Sequence, residues 1–180
     1  MDWREICLKV HNEGLQKLSK NGSIPFLLRA YSYSGTPILE DLVFPAGVND
    51  ATRMILKTMV PYTFSKVHLQ VALMQSDARA VDGHKFASLF GISKEISVEE
   101  YEKEYTRILH EKFEDTVANL PSELWADILI TCIKGPLVMP ISFITYYQKS
   151  TEGKIELEPV KEEAQFSLGL LPDWWEETIN

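Results

Sequence analysis

Cysteine is scarce in this chain, with two residues, Cys7 and Cys132, among 180. So low a count excludes a disulfide-built scaffold, and neither a cysteine pair nor a His-x-x-x-His spacing supplies a structural zinc site. Ile6 and Leu8 flank the first thiol, and Thr131 and Ile133 the second. Both therefore read as small core residues in a reducing compartment, and a bridge between them depends on a Cα separation that sequence does not provide.

Other absences narrow the function further. The nine glycines form neither GxGxxG nor a P-loop, and no GxSxG elbow occurs. None of the four histidines follows a glutamate by three positions, which removes the carboxylate-bridged di-iron pattern. These motifs are the sequence signs of familiar cofactor chemistry, so no cofactor is expected. The segment MDWREICLKV has no basic leader followed by an apolar stretch. The most apolar run, from Leu124 to Phe143, is interrupted by Asp127, Lys134, Gly135, Pro136 and Pro140. A bilayer span needs about 20 nearly unbroken apolar residues. The expectation is a cytoplasmic protein with no membrane partner.

Basic charge is also in short supply. Lys and Arg number 18 against 26 Asp and Glu, for a net charge of −8. That surplus repels a phosphate backbone, and no compact Lys/Arg stripe offsets it, so nucleic acid is not an expected partner. What is present is ordinary for a folded chain: 45% apolar and 24% charged residues. At this length, one domain spanning 1–180 can bury roughly 70% of the unfolded surface.

The patterning predicts an α+β fold with a mixed, mostly antiparallel sheet, amphipathic helices on one face and a C-terminal β-meander. Trp3, Ile6, Cys7, Val10, Gly14 and Leu18 form one helical stripe, stopped by Asn21-Gly22. Strands follow over Ile24–Tyr33 and Ile38–Phe44, then a short helix through Met54, Ile55 and Met59. In the strand Val67–Gln75, Val67, Leu69, Val71 and Leu73 alternate with His68, Gln70, Ala72 and Met74, a second face that reads as half covered. Phe86–Phe90 reads as one helical turn. Ser97 and Glu100 have capping-box spacing and open a helix with a stripe from Val98 to Val117. Strands over 128–133, 137–148 and 155–160 complete the meander. Leu137, Met139, Ile141 and Phe143 form a core face there, Pro140 suggests a bulge, and the last strand is a charged edge.

Candidate chemistry centres on the polar run after the strand 67–75. Asp77 or Asp82 beside His84 would orient a general base, and Arg79 or Lys85 would hold an anionic group. That reading describes a small hydrolase or transferase with its acid–base site in a loop. A solvated turn around Asp82-Gly83 explains the same residues more simply. His68 and Gln70, with Met74, could line a ligand pocket on the sheet face. His110 and Glu114 stand one helical turn apart, as two metal ligands would, but a solvated ion pair is the plainer account, and no metal is expected. Trp3, Trp174 and Trp175 lie in terminal segments, where they either dock on their own domain, the simpler outcome, or cover a partner. The function these readings favour is an interaction or accessory domain without catalysis. It would self-associate as a homodimer or larger through a sheet edge or through the interface residues Trp174 and Trp175.

Overall fold

The computed structural model describes residues 1–44, 71–93, 95–135 and 137–163. In chain order these form α1 (Trp3–Asn21), β1 (Phe26–Tyr31), β2 (Pro37–Phe44), β3 (Val71–Val81), α2 (Gly83–Phe90) and α3 (Val98–Phe113). Two short 3-10 turns, Val117–Asn119 and Ser122–Leu124, lead to β4 (Trp125–Gly135), β5 (Val138–Lys149), β6 (Ile155–Leu157) and β7 (Lys161–Glu163). The strands form one sheet in the order β2-β1-β3-β4-β5-β6, with β7 also paired to β5. The pairs β1–β2, β1–β3, β5–β6 and β5–β7 are all antiparallel. The fold is α+β, as the patterning predicts. Two compact units divide it: Met1–Ala78 with Ile128–Asn180, and Arg79–Asp127.

In the first unit, α1 begins where the Asp2 side chain accepts the Glu5 amide at 3.0 Å, satisfying one of the helix's orphan donors. It ends at Gly22, whose φ of 76° suits a residue without Cβ and lets its N–H return to the Leu18 carbonyl. The buried stripe is Cys7, Val10, His11, Gly14 and Leu18, and the helix packs against β5. Cys7 and Val10 join Leu27, Tyr31, Val71, Leu73, Ile133, Val138 and Phe143 in the main core, and Leu18 joins Ile24, Leu129 and Tyr147 in a second cluster. Each fully buried Leu or Phe contributes roughly 1.5–3 kcal/mol, so this packing is what holds α1 on the sheet.

The central strands are more buried than alternation suggests. Ala72 and Met74, on the face expected to be half covered, are as buried as Val71 and Leu73. Strands covered on both faces lose the polar alternation that sequence reading relies on. The strand also continues to Val81, so Ser76–Val81 is extended chain rather than the predicted loop. Among the described residues β1 pairs with 71–75 of β3, and β4 is the other neighbour of β3 in the sheet. A strand persists as long as its backbone groups find partners, whatever its side chains. His68, Gln70 and the predicted helix through Met54 lie outside the described residues.

A second correction concerns β5. Phe143 is buried, but Leu137 and Met139 are 81% and 82% exposed, and Val138 between them is buried. Val138 and Phe143 lie in one core cluster although their odd spacing puts them on opposite faces of a regular strand. The exposed Met139-Pro140 step lies between them, which fits the irregularity expected at a proline in a ladder. Downstream, β6 is shorter than the predicted 155–160 strand, and Lys161–Glu163 returns to β5 as a separate strand.

The second unit is built on helix caps. The Asp82 side chain accepts the His84 and Lys85 amides, so α2 runs from Gly83 through Phe90 rather than as the single turn expected at 86–90. The capping box at α3 is formed: Ser97 Oγ accepts the Glu100 amide at 3.2 Å and Glu100 Oε2 accepts the Ser97 amide at 2.9 Å. The helix stops at Phe113, short of Val117, because Glu114 and Asp115 adopt left-handed φ angles of 53° and 57°. Phe86, Ile108, Leu109, Leu120 and Leu124 form this unit's core, with Phe86 4.7 Å from the Phe90 ring and 4.6 Å from the Tyr105 ring.

Candidate functional site

Of the acid–base candidates, the carboxylates of Asp77 and Asp82 each accept structural hydrogen bonds. On β3, the Asp77 carboxylate accepts the hydroxyl of Tyr147, a residue of the same unit. Asp82 and His84 belong to the other unit, and their contact runs through the backbone. Asp82 Oδ1 accepts the His84 N–H at 3.0 Å and the Lys85 N–H at 3.1 Å, while Lys85 Nζ lies 3.8 Å from Oδ2. A cap of this kind is worth about 1 kcal/mol to its helix and fixes the carboxylate against the helix N-terminus. Arg79 is exposed, with Nε 3.5 Å from Asp127 Oδ1. Beside α2 lies a groove of about 370 Å³ lined by Val81, Gly83, Tyr101, Glu102, Tyr105 and Thr106. There the Tyr101 hydroxyl donates to the Gly83 carbonyl at 3.2 Å, and partial burial raises the pKa of both tyrosines. Of the remaining candidates, Trp174 and Trp175 lie outside the described residues, as do His68 and Gln70. Met74 is buried in the sheet.

The most organised polar group lies within the first unit and was missed in the sequence. His11, Gln75, Thr131 and Thr145 are all buried. His11 Nδ1 is 3.0 Å from Thr131 Oγ1, and Nε2 is 2.9 Å from Thr145 Oγ1. Gln75 Nε2 donates to Thr131 Oγ1 at 2.9 Å and to the Val10 carbonyl at 2.7 Å. Burial lowers the His11 pKa from 6.5 to about 4, so the imidazole is neutral near pH 7. A neutral ring has one donor and one acceptor nitrogen. With Thr131 accepting from Gln75, assigning Nδ1 as acceptor and Nε2–H as donor makes a continuous chain from Gln75 to Thr145. Gly14 makes room for it: a Cβ there would lie 2.4 Å from Gln75 Nε2. His11 falls on the stripe four residues after Cys7 and three before Gly14, which was the available signal. Both ring nitrogens are occupied and the whole group is buried, so its bonds order the core.

The two thiols are likewise structural. Both cysteines are free and buried. Cys7 Sγ lies 3.6 Å from the Thr131 carbonyl, and burial pushes its pKa up; the same cause pushes Cys132 to about 12. A thiol held in that state is a poor nucleophile.

On α3, His110 meets Asp115 at 2.9 Å, not Glu114, and both side chains are exposed. Glu114 closes the helix in a left-handed conformation, which accounts for the change of partner. Arg107 bridges Glu104 and Glu111, each at 2.7 Å, as i,i+3 and i,i+4 pairs. Among the described residues no group of three or more His, Cys, Asp or Glu is placed to hold a metal ion. No described helix is long and apolar enough to cross a membrane.

An apolar face is the feature without an internal explanation. Met1, Leu137 and Met139 are exposed large apolar residues, and with Asp2, Trp3, Arg4, Val138 and Ile141 they line an open depression of about 490 Å³. Half-buried Trp3 packs 5.8 Å from the Tyr31 ring. At the rim, Arg4 donates to both Glu162 oxygens at 2.9 and 3.0 Å and its guanidinium lies 5.6 Å from the Phe143 ring centre. Comparison with known proteins finds no family model, curated protein or solved structure that matches the chain.

Proposed function

We propose that this chain is an interaction or accessory domain without catalytic activity, self-associating through the face formed by Met1, Trp3, Leu137, Met139 and Ile141. The exposure of Leu137, just before β5, and of Met139 within it, both above 80% and sharing a depression with Met1–Arg4, carries this reading. Such side chains gain free energy when another surface removes them from water, and a rimmed apolar patch is a characteristic docking feature. Asp2 and Arg4 stand together at its rim, so a two-fold arrangement of two copies brings opposite charges near one another as the apolar residues meet. The structural employment of Asp77 and Asp82 supports the non-catalytic part of the proposal.

Light scattering coupled to size-exclusion chromatography tests it. The full chain is expected to show a dimer whose fraction rises with concentration. Replacing Leu137→Ser and Met139→Ser together should return it to a monomer with unchanged circular dichroism, since both side chains are outside the core. A full chain that stays monomeric at every accessible concentration, or a dimer indifferent to the double substitution, would sink the proposal.

A further inference from the structure

Among the described residues, sulfur divides between a protected core and one open face. Cys7, Cys132 and Met74 are at most 5% exposed, and burial keeps both thiols protonated. Oxidants attack thiolates, so a buried, protonated thiol reacts slowly. Met139 is 82% and Met1 67% exposed, and both line the depression that includes Trp3, Arg4 and Ile141. A thioether needs no deprotonation to react, so access decides which methionine an oxidant reaches.

We propose that Met139 is a site of reversible oxidation by peroxide, and that its sulfoxide releases the paired copies. This rests on the reading that the face self-associates, and it names a regulator of that face. In the step, a lone pair of the Met139 sulfur attacks one oxygen of hydrogen peroxide. An S–O bond forms, the O–O bond breaks, and the departing hydroxide takes the proton from the transferred oxygen and leaves as water. Sulfur gives up two electrons and peroxide is reduced. A sulfoxide reductase supplied with a dithiol reverses the change, the oxygen leaving as water while the dithiol becomes a disulfide. The sulfoxide is strongly polar, and a polar group without a hydrogen-bond partner is costly to bury. Each dimer takes in two such groups, so pairing weakens at least about tenfold. Pairing in turn covers Met139, so the free copy is the form that oxidises.

Peptide mass spectrometry after graded hydrogen peroxide, with sedimentation equilibrium on the same samples, tests both halves. In the folded chain Met139 is expected to gain oxygen at least about tenfold faster than Met74, and more slowly as the chain concentration rises. The oxidised chain should dimerise at least about tenfold more weakly with unchanged circular dichroism, and the stereospecific sulfoxide reductases with dithiothreitol should restore it. Met139→Leu keeps the surface apolar and leaves every other methionine in place. That variant should dimerise like the native chain and hold its dimer after peroxide. Oxidation of Met139 no faster than that of Met74 overturns the site. A native dimer unmoved by complete Met139 oxidation, or a Met139→Leu dimer that peroxide weakens equally, overturns the release and leaves self-association in place. If no dimer forms at any concentration but Met139 oxidises selectively, the modification site stands, and the self-association reading fails together with the release that rests on it.

Discussion

Two histidines of this chain illustrate opposite uses of the same ring. In one unit, His11 is sealed among Gln75, Thr131 and Thr145, and burial drives its pKa down to about 4. In the other, His110 stands in solvent beside Asp115, whose hydrogen bond and charge raise its pKa. The first ring resists a proton because burial takes the charged form out of solvent. The second welcomes one. The contrast separates a polar group that specifies a core from one that decorates a surface, and it also tells where acid should act on the molecule.

Breaking the buried side of the contrast with acid has the largest expected effect. Below pH 6.5 the unfolded chain protonates His11 while the folded chain does not, until about pH 4. His11 therefore contributes stability that is fully present above pH 6.5 and is lost as the pH falls toward 4. With 1.36 kcal/mol per pKa unit, the loss is about 3 kcal/mol across that window. Urea unfolding of the native chain and of a His11→Gln variant at stepped pH should give curves that converge over this range. A stability difference independent of pH would show that the ring is protonated inside the fold.

Removing a hydroxyl from the same chain of bonds comes next. Thr131→Val keeps the shape but leaves Gln75 Nε2 and His11 Nδ1 without their shared partner in a site that excludes water. The expected cost is about 2 kcal/mol, read as a lower urea midpoint with unchanged slope. A loss no greater than that of an exposed Thr→Val change would mean the two groups find other partners.

How far these features were legible in the sequence follows from the same physics. The periodic elements were: α1 from its stripe, α3 from Ser97 and Glu100, and the order of strands from alternating apolar runs. Features set by long-range pairing were not. His11, Gln75 and Thr131 are separated by 64 and 56 positions, and only packing brings them together. Leu137 and Met139 obey the same alternation as Phe143, and the change of face near Pro140 is a property of the sheet rather than of the residues before it. Asp82 was read as a turn or a catalytic acid, since a cap and a turn use the same side chain, and only the helix that follows distinguishes them. The polar run from Asp77 to His84 reads as a loop from its composition, whereas β3 continues to Val81 and Asp82 caps the helix that follows.

The smallest effect sharpens the exposed side of the contrast. A histidine whose folded pKa is raised contributes stability below its unfolded value of 6.5, and that contribution disappears as the pH rises through the higher folded value. The pairing with Asp115 is fully solvated, where ion pairs do little for the fold, so the change belongs in the titration rather than in the unfolding curve. NMR titration should place the His110 midpoint above 6.5 in the native chain, and Asp115→Asn should bring it back toward that value with the global stability scarcely altered. The same substitution should leave the His11 resonances unmoved throughout, since burial, not a neighbouring charge, governs that ring. A midpoint for His110 that ignores Asp115→Asn would assign the shift to the other acid near it, Glu111, and would take the ion pair out of the comparison.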